Sequence, residues 1–161
     1  MTKETVEGSV AYFTMQLSKY VRETRGILAK YGLDDNSTYE DYRGMPTEAK
    51  MAVERELELI SNTEIKLANV VFLDDPFREI RDYMSLMGRH GVPEEIKKSV
   101  LARRTHRHYL QHYYRGEDVR GEQETFMFAK NLEDVERFIS NVPLRSTLRN
   151  EPQAEKSKST T

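Results

Sequence analysis

The stretch "VEGSVAYFTMQLSKYVRETRGILAKYG", Val6 to Gly32, decides the fold class of this chain. Its apolar residues recur every three or four positions, which is the spacing of one buried face on an α-helix. A glycine after the last apolar residue is a common helix end, because glycine accepts the left-handed conformation that closes the final turn. The stretch therefore predicts a long amphipathic helix ending at Gly32. The residues predicted to face inward are Val6, Val10, Phe13, Leu17, Tyr20, Val21, Thr24, Ile27, Leu28 and Tyr31.

A second long helix is predicted after a segment without periodicity. Residues 33–46, "LDDNSTYEDYRGMP", are rich in turn formers and predict a loop. Pro46 suits the first position of a helix, and the apolar pattern then continues to about Phe72. The predicted inward positions of this helix are Ala49, Val53, Leu57, Ile60, Leu67, Val70 and Val71.

Prolines also start two further predicted helices. Pro76 suits the start of a short third helix that stops at "GRHGVP", and Pro93 suits the start of a fourth that ends near Arg115. The third helix is expected to turn its apolar side chains toward the core. These are Phe77, Ile80, Met84 and Met87.

The chain after the fourth helix is predicted to hold one more helix. Gly116 and Gly121 are expected to break the helical pattern, and "TFMFA" at 125–129 suits a short strand but has no other strand to pair with. Asn131 resembles the start of a capping box, and Pro143 follows the expected helix end. The predicted inward residues of this fifth helix are Leu132, Val135, Phe138 and Ile139.

Composition agrees with this pattern. Of the 161 residues, 37% are hydrophobic and 32% are charged, which suits amphipathic helices with wide solvated faces. We therefore expect an all-α protein, a bundle of four to five helices with two long N-terminal helices. Residues 1–143 are predicted to form a single helical domain, and the polar, aperiodic residues 144–161 a disordered tail.

The absence of cysteine excludes disulfides, thiolate metal sites and cysteine nucleophiles. No run reaches the roughly 18 apolar residues of a membrane span, and the N-terminal residues do not resemble a signal peptide. We expect a cytoplasmic protein without a membrane partner and without a cofactor.

Charge is segregated along the chain although its net value is only −2. Residues 32–75 hold eleven acidic side chains against four basic ones, whereas residues 89–115 hold seven basic side chains against two acidic ones. Such a basic segment can attract an acidic partner, either a phosphate or a protein. It can equally pack against the acidic second helix of the same chain.

The basic segment includes "LARRTHRHYLQHYYRGEDVR", Leu101 to Arg120, which holds five arginines, three histidines and three tyrosines. On a helix, Arg103 and Arg107 continue the stripe of core residues. An unpaired buried guanidinium is costly, so these two arginines are expected to face a cleft, an interface or an acidic neighbour.

Histidine spacing in this segment tests a metal hypothesis. His108 and His112 lie on one face at i and i+4 and could share a divalent ion, whereas His106 points about 120° away from His112. No third ligand is indicated, so no metal site is predicted.

A basic helix with interspersed tyrosines also suits nucleic acid, since it offers phosphate contacts and stacking surfaces. The sequence pI of about 6.1 argues against a general nucleic-acid binder, which is usually basic overall. The candidate contact residues are Arg103, Arg104, His108, Tyr109, Tyr113, Tyr114 and Arg115.

Arg107, His112 and Tyr114 resemble the R-x4-H-x-Y motif of HEPN-domain proteins, small all-α ribonucleases that include toxins paired with minimal nucleotidyltransferases. Gly116 and Asp118 downstream are similar to the toxin branch. The resemblance implies a metal-independent ribonuclease in which Arg107 and His112 are catalytic: histidine moves a proton and arginine stabilises the phosphoryl charge. It also implies a homodimer, and a tyrosine at 114 that partner enzymes of such toxins adenylylate.

Three functional hypotheses therefore stand. The first is a HEPN-like ribonuclease acting on RNA, and the second is a protein that binds nucleic acid without cleaving it. The third is a helical adaptor or scaffold whose basic helix docks on a protein partner. The four glutamates of the second helix form no paired-carboxylate motif and are expected to be a solvated face. They are Glu54, Glu56, Glu58 and Glu64.

Overall fold

The computed structural model describes residues 3–73, 83–112 and 119–150, and within these ranges it contains helices and no strand. The all-α prediction is therefore confirmed, although these ranges hold seven helices rather than four or five. The two longest are the predicted N-terminal pair. The helices are α1 (Lys3–Lys30), α2 (Tyr39–Arg43), α3 (Thr47–Leu73), α4 (Tyr83–Arg89), α5 (Glu94–His112), α6 (Val119–Lys130) and α7 (Glu133–Asn150).

The core is built on α3, which packs against α1 on one side and against α5, α6 and α7 elsewhere. All the positions predicted to face inward on α3 are buried. Tyr31, one residue past the end of α1, is the exception to the predicted inward face of that helix, because it is 40% exposed. Thr24 is fully buried, and its hydroxyl donates to the Tyr20 carbonyl oxygen at 2.8 Å, which satisfies the polar group inside the core.

Gly32 ends α1 as the sequence predicts. Its φ of 78° is left-handed, and the amide of Leu33 donates to the Leu28 carbonyl at 2.9 Å across the helix end. The Gly32 amide donates to Ala29 at 3.0 Å, so the last carbonyls of the helix are satisfied. A residue with a Cβ would be strained in this conformation.

The predicted loop 33–46 contains the short helix α2, so the loop prediction is wrong at residues 39–43. Thr38 and Asp41 form a capping box, in which each side chain accepts from the other residue's backbone amide. Tyr42 of α2 is fully buried. Five residues are too few to show helical periodicity, so burial and capping, rather than pattern, determine this helix.

Residues 119–130 form α6, which corrects the expectation that Gly121 interrupts the helical pattern and that residues 125–129 suit a strand. Phe126 and Phe128 are buried on this helix together with Thr125. Gly121 lies inside α6 at a place where another side chain lies too close to leave room for a Cβ. Packing therefore explains a glycine that the sequence alone made look like a break.

Helix α7 continues through Pro143 to Asn150, so the predicted helix end was placed too early. A proline inside a helix removes one backbone hydrogen bond. Most residues after Pro143 are adequate helix formers, and the helix continues through them. The remaining tail residues 151–161 lie outside the described residues, as does the predicted start of the third helix at Pro76. Met87, predicted to face inward on that helix, is fully buried.

None of the helices in the described part of the chain combines the length and the apolar character needed to cross a bilayer.

Candidate binding groove between helices α5 and α6

Helices α5 and α6 run antiparallel and in close contact. Near the C-terminal end of α5, the ring of Tyr109 lies over Gly121, where an added Cβ would lie 2.2 Å from two ring carbons. One turn earlier on α5, His106 Nε2 lies 2.8 Å from Thr125 Oγ1, farther along α6. The opposite order of these two contacts along the helices establishes the antiparallel arrangement.

A half-open groove of about 770 Å³ lies along this helix pair and reaches the start of α7. Its floor contains His106, Tyr109 and Phe128, and the rings of Tyr109 and Phe128 each pack on the ring of His106. Leu101 on α5 and Met127 on α6 line the groove and are 36% and 52% exposed. Two large exposed apolar side chains thus border an aromatic floor in one groove.

The two sides of the groove carry different charges. Lys98 lines the α5 side, whereas Glu124 and Asp134 line the side formed by α6 and α7. Both acidic side chains are in ion pairs near the surface: Glu124 lies 3.5 Å from the highly exposed Arg120, and Asp134 lies 3.0 Å from the exposed Arg137. Exposed pairs of this kind contribute little stability, so these carboxylates remain available to a ligand.

Arg103, a predicted nucleic-acid contact, lies inside the bundle. Its Nε and Nη2 donate to the two carboxylate oxygens of Glu64 at 2.9 and 2.8 Å, and Nη1 donates to Ser99. Burial raises the pKa of Glu64, and the neighbouring Arg103 offsets part of this rise by favouring the carboxylate. Of the three surroundings expected for Arg103, a cleft, an interface or an acidic neighbour, the structure shows the acidic neighbour. The expectation that Glu64 belongs to a solvated face is wrong, because this residue is 1% exposed.

Arg107 is half-buried and bonds to α3 through an amide. Its Nη1 donates to Asn62 Oδ1 at 3.0 Å, while its buried Nε has no hydrogen-bond partner. Within the described residues it has no carboxylate partner, in contrast to Arg103. A guanidinium held in this way keeps its charge and spare N–H donors.

His112 is the last residue of α5, and its side chain lies outside what the structure describes. The helix is continuous from Arg107 to His112, so residues five apart point about 140° away from each other. One chain alone therefore does not place the two predicted catalytic residues on the same helix face.

The other predicted nucleic-acid residues are distributed around α5 or lie beyond it. Arg104 and Tyr109 are half-buried, and His108 is exposed beside the groove. The remaining predicted contacts lie outside the described residues. These are Tyr113, Tyr114 and Arg115.

His106 is the residue of this site that sequence reasoning did not select. It is only 7% exposed, and burial lowers its pKa, an effect that Glu124 partly opposes. Its position three residues after Arg103, on the inward face of α5, was a usable signal. No comparable signal marked its partners Thr125 and Glu124, because α6 itself was not predicted.

The described side chains contain no group of three or more histidines and acids that could hold a metal ion. No protein-family model, curated protein or solved structure matches this chain.

Proposed function

We propose that this chain is a non-catalytic helical adaptor, and that the groove between α5 and α6 binds an amphipathic helix of a partner protein. The observation that carries the proposal is the pairing of exposed Leu101 with exposed Met127 above an aromatic floor. Recognition of a helix in a groove uses apolar anchors at intervals of three or four residues. Side chains on both edges of this groove can contact such anchors.

Groove length and charge specify the partner. The lining residues of α5 extend from Lys98 to Tyr109, which corresponds to about three helical turns, or about 17 Å. A bound helix needs an apolar stripe of that length, with acidic residues on the edge facing Lys98. It needs basic residues on the opposite edge, facing Glu124 and Asp134.

A catalytic alternative in the same place lacks a nucleophile. His106 lies between the Thr125 hydroxyl and the Glu124 carboxylate, which resembles a base between a nucleophile and an orienting acid. Thr125, however, is fully buried, and its hydroxyl donates to the Gly121 carbonyl oxygen at 2.9 Å. Thr125 does not line the groove and its hydroxyl proton is already donated, so it is not placed to attack a substrate bound there.

The test is selection from a displayed library of 14-residue amphipathic helical peptides, followed by fluorescence polarisation with the enriched peptides. Leu101→Glu combined with Met127→Glu is expected to weaken binding about tenfold or more, because both apolar anchors are lost. Met51→Glu is the matched control, since Met51 is similarly exposed on α3 outside the groove. Circular dichroism verifies that the variants are folded.

Equal affinity of the double variant and the Met51→Glu control would contradict the proposal, as would a library from which no peptide is enriched. Weaker binding by the groove variant alone would support it.

RNA cleavage of the HEPN type is the second candidate, and the favourable observation is Arg107. It is a cation without a carboxylate partner among the described residues, and it lies five residues before His112 on α5. Metal-independent cleavage requires such a cation to stabilise phosphoryl charge and a histidine to move a proton.

The test is incubation of single-stranded and structured RNA with the protein in EDTA. Arg107→Ala and His112→Ala are each expected to abolish cleavage, with Arg89→Ala as an exposed-arginine control. Because the two residues point apart on one helix, a mixture of the two inactive variants should regain activity if two protomers share a site. Cleavage that survives both substitutions, or an inactive wild type, would exclude this function.

A further inference from the structure

His106 has one ring nitrogen that is fully engaged and one that is not. The hydroxyl proton of Thr125 is used by the Gly121 carbonyl, so Thr125 Oγ1 can only accept from His106 Nε2, at 2.8 Å. The neutral ring therefore carries its proton on Nε2, and Nδ1 is a bare acceptor. Nδ1 has no hydrogen-bond partner and is buried, although its residue lines the groove, so neighbouring side chains must shift before a ligand reaches this nitrogen.

A second acceptor faces this nitrogen. Glu124 Oε2 lies 3.6 Å from His106 Nδ1, and two acceptors at this distance do not bond to each other. The other carboxylate oxygen of Glu124 lies 3.5 Å from Nε of Arg120, whose side chain is 88% exposed. The pair of acceptors is complementary to a group that brings positive charge and at least two N–H donors.

The surroundings of this acceptor pair are apolar. Met127 and Phe128 follow Glu124 on α6 and line the same groove, and the Tyr109 ring stacks on His106 with a centroid separation of 5.1 Å. An extended methylene chain can lie along these side chains while its charged end reaches the acceptors, as lysine stems do on apolar surfaces.

We propose that His106 Nδ1 and the Glu124 carboxylate form a subsite for an alkylammonium group, and that a lysine of the docked partner helix supplies it. The second half of this statement rests on the proposed function. The first half concerns the chemistry of the groove alone and can be tested without any partner.

Protonation of His106 at acidic pH should prevent this subsite from binding an ammonium group. A proton on Nδ1 turns the acceptor into a donor toward Glu124 and places a positive charge where the ammonium binds. The groups facing the imidazole are Glu124 and Thr125 from α6, with the rings of Tyr109 and Phe128. The protonated ring of His106 and the ammonium group therefore compete for the Glu124 carboxylate. Binding of the ammonium group should weaken as the pH falls through the titration of His106.

The experiment uses n-hexylammonium chloride as the probe and the ring resonances of His106 in NMR as the readout, on the intact chain. n-Hexylammonium is expected to shift these resonances in a saturable way and to lower the pH at which His106 titrates. n-Hexyltrimethylammonium has the same charge and stem but no N–H, and it should bind about tenfold more weakly. Glu124→Gln should have a similar effect, whereas Glu48→Gln, an exposed glutamate on α3, should have none.

Equal binding of the two cations, or no saturable shift with either, would overturn the subsite. The partner's role is tested separately, by replacing each lysine of an enriched peptide with norleucine. A peptide that binds without needing any lysine leaves the helix-docking function intact and refutes the lysine assignment. Saturable binding of n-hexylammonium to a protein that enriches no peptide supports the subsite and refutes the docking function.

Discussion

Arg103 of α5 and Glu64 of α3 form a two-point salt bridge inside the bundle, with Nε–Oε1 and Nη2–Oε2 distances of 2.9 and 2.8 Å. The pair joins the basic helix α5 to the acidic helix α3. It also buries Arg103, which was predicted from the sequence as a nucleic-acid contact. The charge segregation of the chain is thus used at least partly for its own packing.

Removing one member of this pair should be strongly destabilising. Arg103→Met leaves Glu64 buried without its cation, and we expect a loss of about 3–5 kcal/mol in the free energy of unfolding. Arg103→Met combined with Glu64→Leu should recover most of this loss, because no unpaired charge remains. Urea denaturation followed by circular dichroism measures both variants. A single variant as stable as the wild type would show that the salt bridge is not formed in solution.

The contact between Tyr109 and Gly121 predicts a steric effect. Gly121→Ala places a Cβ 2.2 Å from the Tyr109 ring, and the required rearrangement should cost about 1–3 kcal/mol. Tyr109→Leu should relieve part of that cost when the two changes are combined. Gly8→Ala is the control, because no atom lies within 4 Å of the added Cβ and a helix interior favours alanine by about 0.5–1 kcal/mol. If both glycine variants are stabilised, the close packing of α5 on α6 is wrong.

Glu56 predicts how stability depends on pH. Burial, followed by a hydrogen bond with Glu23, raises the pKa of Glu56 from 4.5 to about 7, while Lys19 and Arg55 oppose the rise. The folded state therefore holds this proton more tightly than the unfolded state. Stability should fall as pH rises from about 4.5 through 7, and Glu56→Gln should reduce that fall. Urea midpoints between pH 4.5 and 8 provide the measurement. An identical pH profile in the variant would contradict the shared proton.

The capping box of α2 predicts a local effect. Thr38→Ala removes the side-chain acceptor for the Asp41 amide and should destabilise the chain by about 1 kcal/mol. Faster hydrogen exchange at the Tyr42 amide should accompany the loss, since that amide lies in the same short helix. Thr47→Ala, at an exposed threonine that begins α3, should change neither quantity. Unchanged exchange at Tyr42 would mean that burial alone holds α2.

The sequence by itself determined the long helices and their buried faces. Regular spacing of apolar residues over more than twenty positions makes a helix the only element that buries them all, and a left-handed glycine such as Gly32 fixes where it ends. Apolar spacing did not predict α2, which is short, or α6, which contains Gly121. Their helical state depends on Tyr42 and Phe126 finding space in a core built by other helices.

The candidate site was decided by tertiary structure. The residue types of α5 indicated charge and hydrogen-bonding capacity. They did not indicate which side chains would be buried and paired with other helices of the bundle. Arg103 is paired with Glu64, 39 residues earlier, and His106 is oriented by Thr125, 19 residues later. Such partners are chosen by the packing of separate helices, and helical periodicity describes only one helix at a time. Helix α5 therefore contributes a buried salt bridge on one face and part of a groove on another.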